Sequence, residues 1–529
     1  MADSNSQDNP VTAMEASATL LRALDNPLAF DHPIRYLRII ETHISWVILT
    51  GNYAYKIKKP VNFGFLDFST LADRRHYCEE ELRLNRRFAP QIYLDVVAIR
   101  GTPDAPRLHG ESAAIEYAVK MVEFPQQCLL SHHATAGSLT ASIIDAVAAR
   151  VGRLHAEADS APRDSEYGSA ACVQRWSEEN FTQLAKAIPG ARLPASFAYL
   201  QQWYRDNQSL LDRVDQRRSA GRVRDCHGDL HLDNIALIDN QVMPFDCIEF
   251  NAELRWIDTI SEAAFVAMDL QAHAYPGFCW RFISRYLEAS ADYEAIGLLR
   301  YYVIYRALVR AKVEALRVPP KQVAGAQAFA AAFRYLDLAE QWAGQPAAGI
   351  ILMHGLSASG KSTVAARLAE SLGAVQIRSD VVRKQLHDLA ADAHSGSAPG
   401  GGIYSSDASE LTYDRLREIA ATIIAEGFYV IVDATFLRAA QRLKFLELAG
   451  ARPLPCVIVD CVAPEAVLRE RIVNRANDPS EANLQVLEQQ IRTQQPISAT
   501  EAERARVVEV TTGGINGGQI DRIRSLLIN

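Results

Sequence analysis

The sequence predicts an α/β chain in two parts, an α+β first part and a second part built on a parallel sheet. Three observations carry this prediction. Beyond residue 349, short apolar runs alternate with helical patterns, as in strands joined by crossover helices. Before residue 344, strand-like segments come first and a long, mostly helical stretch follows. Between them, residues 344–349 (GQPAAG) are short and rich in small residues, and the boundary is placed there. The expected division is a disordered, polar tail over 1–14, a first domain over 15–343, a linker over 344–349 and a second domain over 350–529.

The bulk numbers narrow the class. With 49% hydrophobic and 22% charged residues, the 529-residue chain can fill ordinary globular cores. A formal net charge of -8 argues against a broad, non-specific nucleic-acid surface. The eight cysteines form no C-x-x-C pair and sit mostly in apolar runs, so buried free thiols are expected rather than a zinc site or a disulfide scaffold. The polar start lacks an apolar signal core, and no apolar run reaches the length needed to span a bilayer. The reading is therefore cytoplasmic, with no membrane partner.

In the second part the strand candidates are 350–353, 375–378, 429–432, 457–460 and 507–510, with helical patterns over 362–372 and 411–425. Between the first strand and the first helix stands Gly355-Leu356-Ser357-Ala358-Ser359-Gly360-Lys361-Ser362, followed by Thr363, which fits G-x-x-x-x-G-K-[ST]. Gly355 and Gly360 let the backbone wrap closely, so that amides from Ser357 and Ser359 to Thr363 can face phosphate oxygens at a positive helix N-terminus. Lys361 would neutralise the β- and γ-phosphates, and Ser362 would place its hydroxyl on Mg²⁺. Asp433, at a strand's carboxyl end, suits the acidic partner of that Mg²⁺ shell, and Asp380 suits the base that orients a substrate hydroxyl. Arg469, Arg471 and Arg475 form a basic helix on which Arg471 and Arg475 share a face. Either of these two would suit a lid over the γ-phosphate. The stretch 395–402 (SGSAPGGG) reads as a loop or a substrate flap.

These pieces, GLSASGKST, IRSDVVRK, VIVDATF and the Arg-rich lid followed by Asp478-Pro479-Ser480-Glu481-Ala482, resemble the P-loop kinases grouped with polynucleotide kinase and the zeta toxins. The resemblance implies Asp380 as general base and Arg383 as a contact to the acceptor. It speaks for nucleotide handling and leaves the acceptor open.

In the first part, His227-Gly228-Asp229-Leu230-His231-Leu232-Asp233-Asn234 sets Asp229 and Asn234 five residues apart, the D-x-x-x-x-N spacing of a kinase catalytic loop. An apolar run, the turn pair Asp239-Asn240 and a second run follow, ending at Asp246. Folded as a hairpin, they bring Asn234 and Asp246 together as hard oxygen ligands for Mg²⁺, with Asp229 nearby as base. Upstream, 44–49 and 53–59 read as a hairpin about Thr50-Gly51-Asn52. Strand alternation puts Lys56 and Lys58 on one face. The sequence cannot separate them as the ATP lysine, and Lys56 is preferred because it follows Ala54-Tyr55. Glu81, sharing a helix face with Leu84, is the preferred carboxylate partner. Asp258 is read as a structural brace, and Tyr301, Tyr302 and Tyr305 as core.

The HGDLHxxN segment resembles the aminoglycoside phosphotransferase and choline kinase group. The resemblance covers about residues 30–340 and implies a bilobal, protein-kinase-like fold. It carries Asp229 over as base and Asn234 and Asp246 as metal ligands. No G-x-G-x-x-G cover is found, only Thr50-Gly51-Asn52. The combined expectation is an enzyme with two Mg-ATP sites, a kinase-like one and a P-loop one, transferring phosphoryl to a small-molecule or nucleic-acid hydroxyl. The competing expectation makes the first domain a nucleotide-sensing regulator without catalysis.

Overall fold

The computed structural model describes residues 10–528 apart from 63, 65, 320, 321, 324, 326, 345, 346, 391, 392, 398–400, 475–482 and 512. The chain forms two compact units that interleave in sequence. One comprises Met1–Leu139, Ala158–Val173 and Asp215–Glu262, the other Thr140–Glu157, Gln174–Val214 and Ala263–Asn529. The helices between residues 263 and 343 therefore fall in the same unit as the P-loop sheet.

The first unit holds a six-stranded antiparallel sheet. Its strands are β1 (Arg38–Glu41), β2 (Ser45–Leu49), β3 (Tyr53–Lys58), β4 (Tyr93–Thr102), β5 (Ala105–Arg107) and β6 (Ala114–Val122), in the order β1-β2-β3-β6-β4-β5. Strand alternation in β3 sorts its residues between two cores. Tyr55 and Ile57 join Leu20, Leu24, Trp46 and Ile99 on one face, whereas Ala54 packs with Cys78, Tyr93 and Val119 on the other. Lys56 and Lys58 thus face the Leu71–Asn85 helix, which Thr70 caps by accepting from Asp73 N (3.1 Å).

The Pro10–Ala23 helix supplies Leu20, and Leu24 follows directly after it. It begins inside the stretch expected as tail, so residues 10–14 are helical. Proline is favoured in the first helical turn, and burial of the two leucines gives the helix a tertiary anchor that local polarity hides.

Short strands complete this unit. β7 (Val223–Asp225) pairs with β10 (Trp256–Asp258), and β8 (Ile235–Ile238) with β9 (Gln241–Pro244), each antiparallel. Asp239 and Asn240 turn the second hairpin with φ of 49° and 60°, the left-handed pair of a type I′ turn. Asp258 accepts from Arg217 Nε (2.7 Å) and Nη2 (2.8 Å) and from Ile260 N (3.0 Å), which makes it a brace.

In the second unit β11 (Gly349–His354), β12 (Ala374–Arg378), β13 (Tyr429–Asp433), β14 (Cys456–Cys461) and β15 (Arg506–Val510) form a parallel sheet in the order β12-β13-β11-β14-β15. Each expected strand is present, extended by one or two residues. The three central runs, β11, β13 and β14, are almost wholly apolar and buried, as expected of strands covered on both faces. Helix Lys361–Leu372 ends at Gly373, whose φ of 72° is left-handed. The long helix Ile296–Leu316 buries Tyr301 and Tyr302, and Ser177 hydrogen-bonds the Tyr301 hydroxyl (3.2 Å). All eight cysteines are unpaired and seven are buried. Among the described residues, no helix is long and apolar enough to cross a membrane.

Candidate active sites

The first unit gathers charged side chains around Glu81 from three segments: strand β3, helix Leu71–Asn85 and residues 246–249. Lys56 Nζ donates to Glu81 Oε1 (2.9 Å) and to the Asp246 carboxylate; Lys58 Nζ donates to Glu81 Oε2 (2.7 Å) and to Glu249. Burial pushes the Glu81 carboxyl up, but the two ammonium groups prevail and hold it well below its ordinary range. Burial likewise opposes the charge on Lys56, and Asp246 and Glu81 outweigh it, so its pKa is raised.

The two lysines differ in access. The Lys58 side chain is fully enclosed, whereas Lys56 touches Asp246, whose side chain is 43% exposed. Lys56 is therefore the one that meets solvent-facing chemistry. Glu249 was not singled out from sequence. The signal was a carboxylate three residues beyond Asp246, but only the fold shows that Lys58 needs a second partner.

The backbone around Asp246 is held firmly. Its N–H donates to the Tyr93 hydroxyl (3.0 Å), and the next N–H, of Cys247, donates to Asn85 Oδ1 (2.8 Å). Asp246 adopts a left-handed φ of 64°, a strained choice for a non-glycine residue. Nearby, His227 Nε2 donates to Phe245 O (2.8 Å), so its Nδ1 is the acceptor for Asp229 N (3.3 Å). Burial lowers the His227 pKa, which favours this neutral tautomer. Gly228 has φ of 88°, and a Cβ there would lie 2.7 Å from Leu254 O. Asn234 Nδ2 donates to Asp229 O (2.9 Å) and Oδ2 (3.0 Å).

Asn234 thereby orients Asp229 and keeps its own amide oxygen for another partner. The bond from Phe245 N to Asn234 O (3.0 Å) brings Asn234 beside the Asp246 segment. An amide oxygen and a half-exposed carboxylate are hard donors, and they fit Mg²⁺.

One expectation about this site changes. The register pairs Val47 with Lys56 and Ser45 with Lys58, so the turn at the Lys58 end of the β2–β3 pair is Thr42-His43-Ile44. Thr50-Gly51-Asn52 closes the opposite end, where Glu123 Oε2 accepts from the amides of Thr50 (3.0 Å) and Gly51 (2.7 Å). The turn on the lysine side therefore contains no glycine at all.

In the second unit the site grows from one continuous turn. β11 leads into Gly355 (φ 134°), Ala358 (φ 64°) and Gly360 (φ 95°), and helix Lys361–Leu372 follows at once. A Cβ on Gly355 would lie 2.4 Å from Cys461 O. Ser357 and Ser359 are buried in this loop, while Ser362 and Thr363 are exposed at the helix start. Lys361 Nζ donates to Leu356 O (2.7 Å) and Ser359 Oγ (3.4 Å), folding back over the loop. Arg471 Nη1 reaches Ala358 O (3.2 Å), whereas Arg469 pairs with Glu465 and Glu488 on the exposed face. Arg475 and the segment 478–482 lie outside the described residues, as does part of 395–402.

Asp433 ends β13 within hydrogen-bonding range of Ser362. Burial raises its pKa, against the opposing pull of Ser362, Lys361 and Arg378. A hydroxyl and a buried carboxylate beside the phosphate loop fit Mg²⁺. Asp380 lies in the first turn of helix Ser379–Gln385, half-buried, and its charge adds to the strain on Asp433. Arg383 is buried: its guanidinium donates to Ile403 O (3.0 Å) and Ser409 Oγ (3.3 Å) and lies 5.0 Å from the Tyr404 ring. In this structure Arg383 therefore holds the 402–409 segment. Sequence reasoning also missed Gln490, whose Oε1 accepts from Ser357 N (2.8 Å), because no local pattern links residues so far apart.

With this geometry in view, a family model described as an AAA domain matches residues 350–497. An amicoumacin kinase, solved with AMP-PNP, Ca²⁺ and amicoumacin, is similar at 16% identity with a TM-score of 0.41, over 63% of this chain and 95% of that one. A gluconokinase from Sinorhizobium meliloti 1021 is similar at 21% identity with a TM-score of 0.25, over 35% of this chain and 94% of that one. Uncharacterized proteins of Mycobacterium tuberculosis and Mycobacterium bovis are 30% identical over 462 residues, which is 86% of this chain and 90% of theirs. The chain belongs to the family of these mycobacterial proteins, and it carries an antiparallel-sheet unit and a parallel-sheet unit with a glycine-rich phosphate-loop turn in one polypeptide.

Proposed function

We propose that the protein is a bifunctional ATP-dependent phosphotransferase, with one Mg-ATP site in each unit and a hydroxyl group as acceptor at each. The observation that carries the reading is that each unit gathers charged groups of the kind phosphoryl transfer would need. Lys56 joins Glu81 to Asp246 while Asn234 aligns Asp229; Lys361 folds over the P-loop while Ser362 meets Asp433. Phosphoryl transfer relies on positioning and charge neutralisation, and these groups supply both.

In the first site Lys56 would bind phosphate oxygens, Asn234 and Asp246 would hold Mg²⁺, and Asp229 would accept the acceptor's proton. In the second, the loop amides and Lys361 would cradle the β- and γ-phosphates. Ser362 and Asp433 would hold Mg²⁺, Asp380 would orient the acceptor hydroxyl, and Arg471 would neutralise charge on the transferred group. Arg383 would shape the acceptor side through the 402–409 segment. Bound Mg²⁺ supplies charge neutralisation across the phosphates. Small-molecule hydroxyls are the favoured acceptors, because a net charge of -8 counts against extensive backbone binding of a nucleic acid. A nucleic-acid end remains within the same chemistry. The linker between the two sequence modules is proposed at residues 344–349.

A second reading has its own support. The glycine-free Thr42-His43-Ile44 turn favours a first unit that senses nucleotide and regulates the second without catalysis. Phosphate transfer from γ-labelled ATP separates the two. Wild type, Lys361→Ala and Asp229→Ala are compared on sugars, aminoglycosides, nucleosides and 5′-hydroxyl oligonucleotides. Each substitution is expected to lose a different acceptor, by about 10²–10⁴-fold. Loss of one shared acceptor by both would give the regulatory reading the lead, and full turnover in the double variant would end both.

A further inference from the structure

β12 is one of the two edge strands of the parallel sheet, and an exposed edge leaves backbone amides without partners. Here the helix Pro276–Ser290 lies along it. The Gln376 N–H of β12 donates to Ser284 Oγ (3.0 Å), and Gln385 Nε2 donates to Glu288 O (2.7 Å). Charge reinforces the seam. Buried Glu288 accepts from Arg285 Nη1 (2.8 Å) and Arg378 Nε (2.8 Å), and Arg281 Nη1 reaches Glu370 (2.9 Å). This helix precedes residue 344 and belongs by sequence to the first domain.

One chain of contacts runs from this helix into the P-loop site. Arg285 Nη2 donates to Gln376 Oε1 (2.8 Å), and Gln376 Nε2 donates to Asp433 Oδ2 (3.0 Å). The amide cannot be reversed, because arginine has only donors and the Gln376 oxygen must face it. Gln376 is 1% exposed and Asp433 5%, so water does not substitute for either bond. Asp433 thus has one oxygen tied down by a residue that is itself aimed by Arg285.

We propose that Arg285 and Gln376 are positioning residues for Asp433, and that the P-loop Mg²⁺ site is built partly from the first domain's helix. The inference rests on the P-loop reading given above. Outer partners that orient a ligating carboxylate typically change metal affinity by about 10–100-fold when removed. A packing role alone would lower stability without singling out the metal. The relay also means that residues 350–529 carry the P-loop without the group that aims its acidic ligand.

The test uses the full chain and a fluorescent ADP analogue, titrated with and without Mg²⁺. The component of binding lost in Lys361→Ala is taken as the P-loop's. Arg285→Ala and Gln376→Leu are expected to reduce the Mg²⁺-dependent gain in that component by about 10–100-fold, leaving Mg²⁺-free affinity within about twofold. Arg285→Lys, which can still donate to Gln376 Oε1, is expected to recover most of the gain. Thermal unfolding accompanies each variant. If Arg285→Ala does not fold, Gln376→Leu decides, since it leaves the Arg285–Glu288 pair intact. An unchanged Mg²⁺ gain in a folded Gln376→Leu, or equal losses with and without Mg²⁺, would overturn the proposal. If Lys361→Ala itself binds the analogue like wild type, the P-loop reading fails instead.

Discussion

The two candidate sites solve one electrostatic problem by opposite means. The P-loop site is mostly local: from Gly355 to Thr363 a single turn presents backbone amides, a lysine and a hydroxyl, and Asp380, Asp433, Arg471 and Gln490 join it from elsewhere in the chain. The kinase-like site is mostly non-local: Lys56, Glu81, Asn234 and Asp246 come from a strand, a helix and two loops. Backbone dipoles in a tight turn are pre-aimed at little energetic cost. Buried side-chain charges must be paired with one another until a ligand arrives, which is why two lysines share Glu81. The P-loop site should therefore be sensitive to steric change in one loop, the Lys56 site to loss of any one charge.

The sharpest way to break this contrast is at Gly355. Its left-handed φ and the 2.4 Å approach of Cys461 O leave no room for a Cβ. Gly355→Ala is expected to weaken nucleotide binding at the P-loop by about 10²-fold or more. An equilibrium titration with a nucleotide analogue checks it, and near-native affinity would contradict a site dependent on loop shape.

Next in size is Lys58. Removing it leaves Glu81 short of a partner and Glu249 buried beside it. Lys58→Met is expected to cost about 3–5 kcal/mol of stability, the usual effect of breaking a buried pair from one side. Denaturant unfolding measures this, and a loss below about 1 kcal/mol would show that the cluster is better solvated than its burial indicates.

The same cluster gives a smaller, pH-linked effect. Glu81 is held below its ordinary pKa of 4.5, at about 2. A depressed carboxylate binds fewer protons in the folded than in the unfolded chain. Its stabilisation is thus complete above about pH 4.5 and is lost as pH falls toward 2. Unfolding midpoints across that range should fall less steeply in Glu81→Gln than in wild type, and parallel slopes would exclude Glu81 as a contributor.

The smallest effect separates two neighbouring arginines. Arg469 makes exposed pairs with Glu465 and Glu488, whereas Arg471 reaches the P-loop at Ala358. Arg469→Ala is expected to leave stability and turnover unchanged. Arg471→Ala is expected to reduce turnover on the P-loop acceptor while unfolding normally. Equal behaviour of the two in phosphate-transfer assays would remove Arg471 from the lid.

The sequence was legible where chemistry is local. Periodicity and turn residues placed all five parallel strands, the Asp239-Asn240 hairpin and the phosphate loop, because each depends on neighbours in the chain. Spacing also pointed to Asp229, Asn234 and Asp246. It did not reveal that Pro10–Ala23 is helical, since that helix owes its stability to the distant partners of Leu20 and Leu24. Nor did it find Glu249 or Gln490, whose roles arise from contacts across long stretches of chain.

By itself, then, the sequence determined two candidate phosphate-binding motifs and the order in which they occur. Tertiary structure alone decided the division of labour around them. It set Lys56 beside half-exposed Asp246 and enclosed Lys58 fully, because strand alternation puts both on one face and only packing sets their surroundings. It also set the edge strand β12 against helix Pro276–Ser290, so that Arg285 reaches Asp433 through Gln376. Burial depth and long-range pairing are properties of the whole packed chain, and no local pattern encodes them.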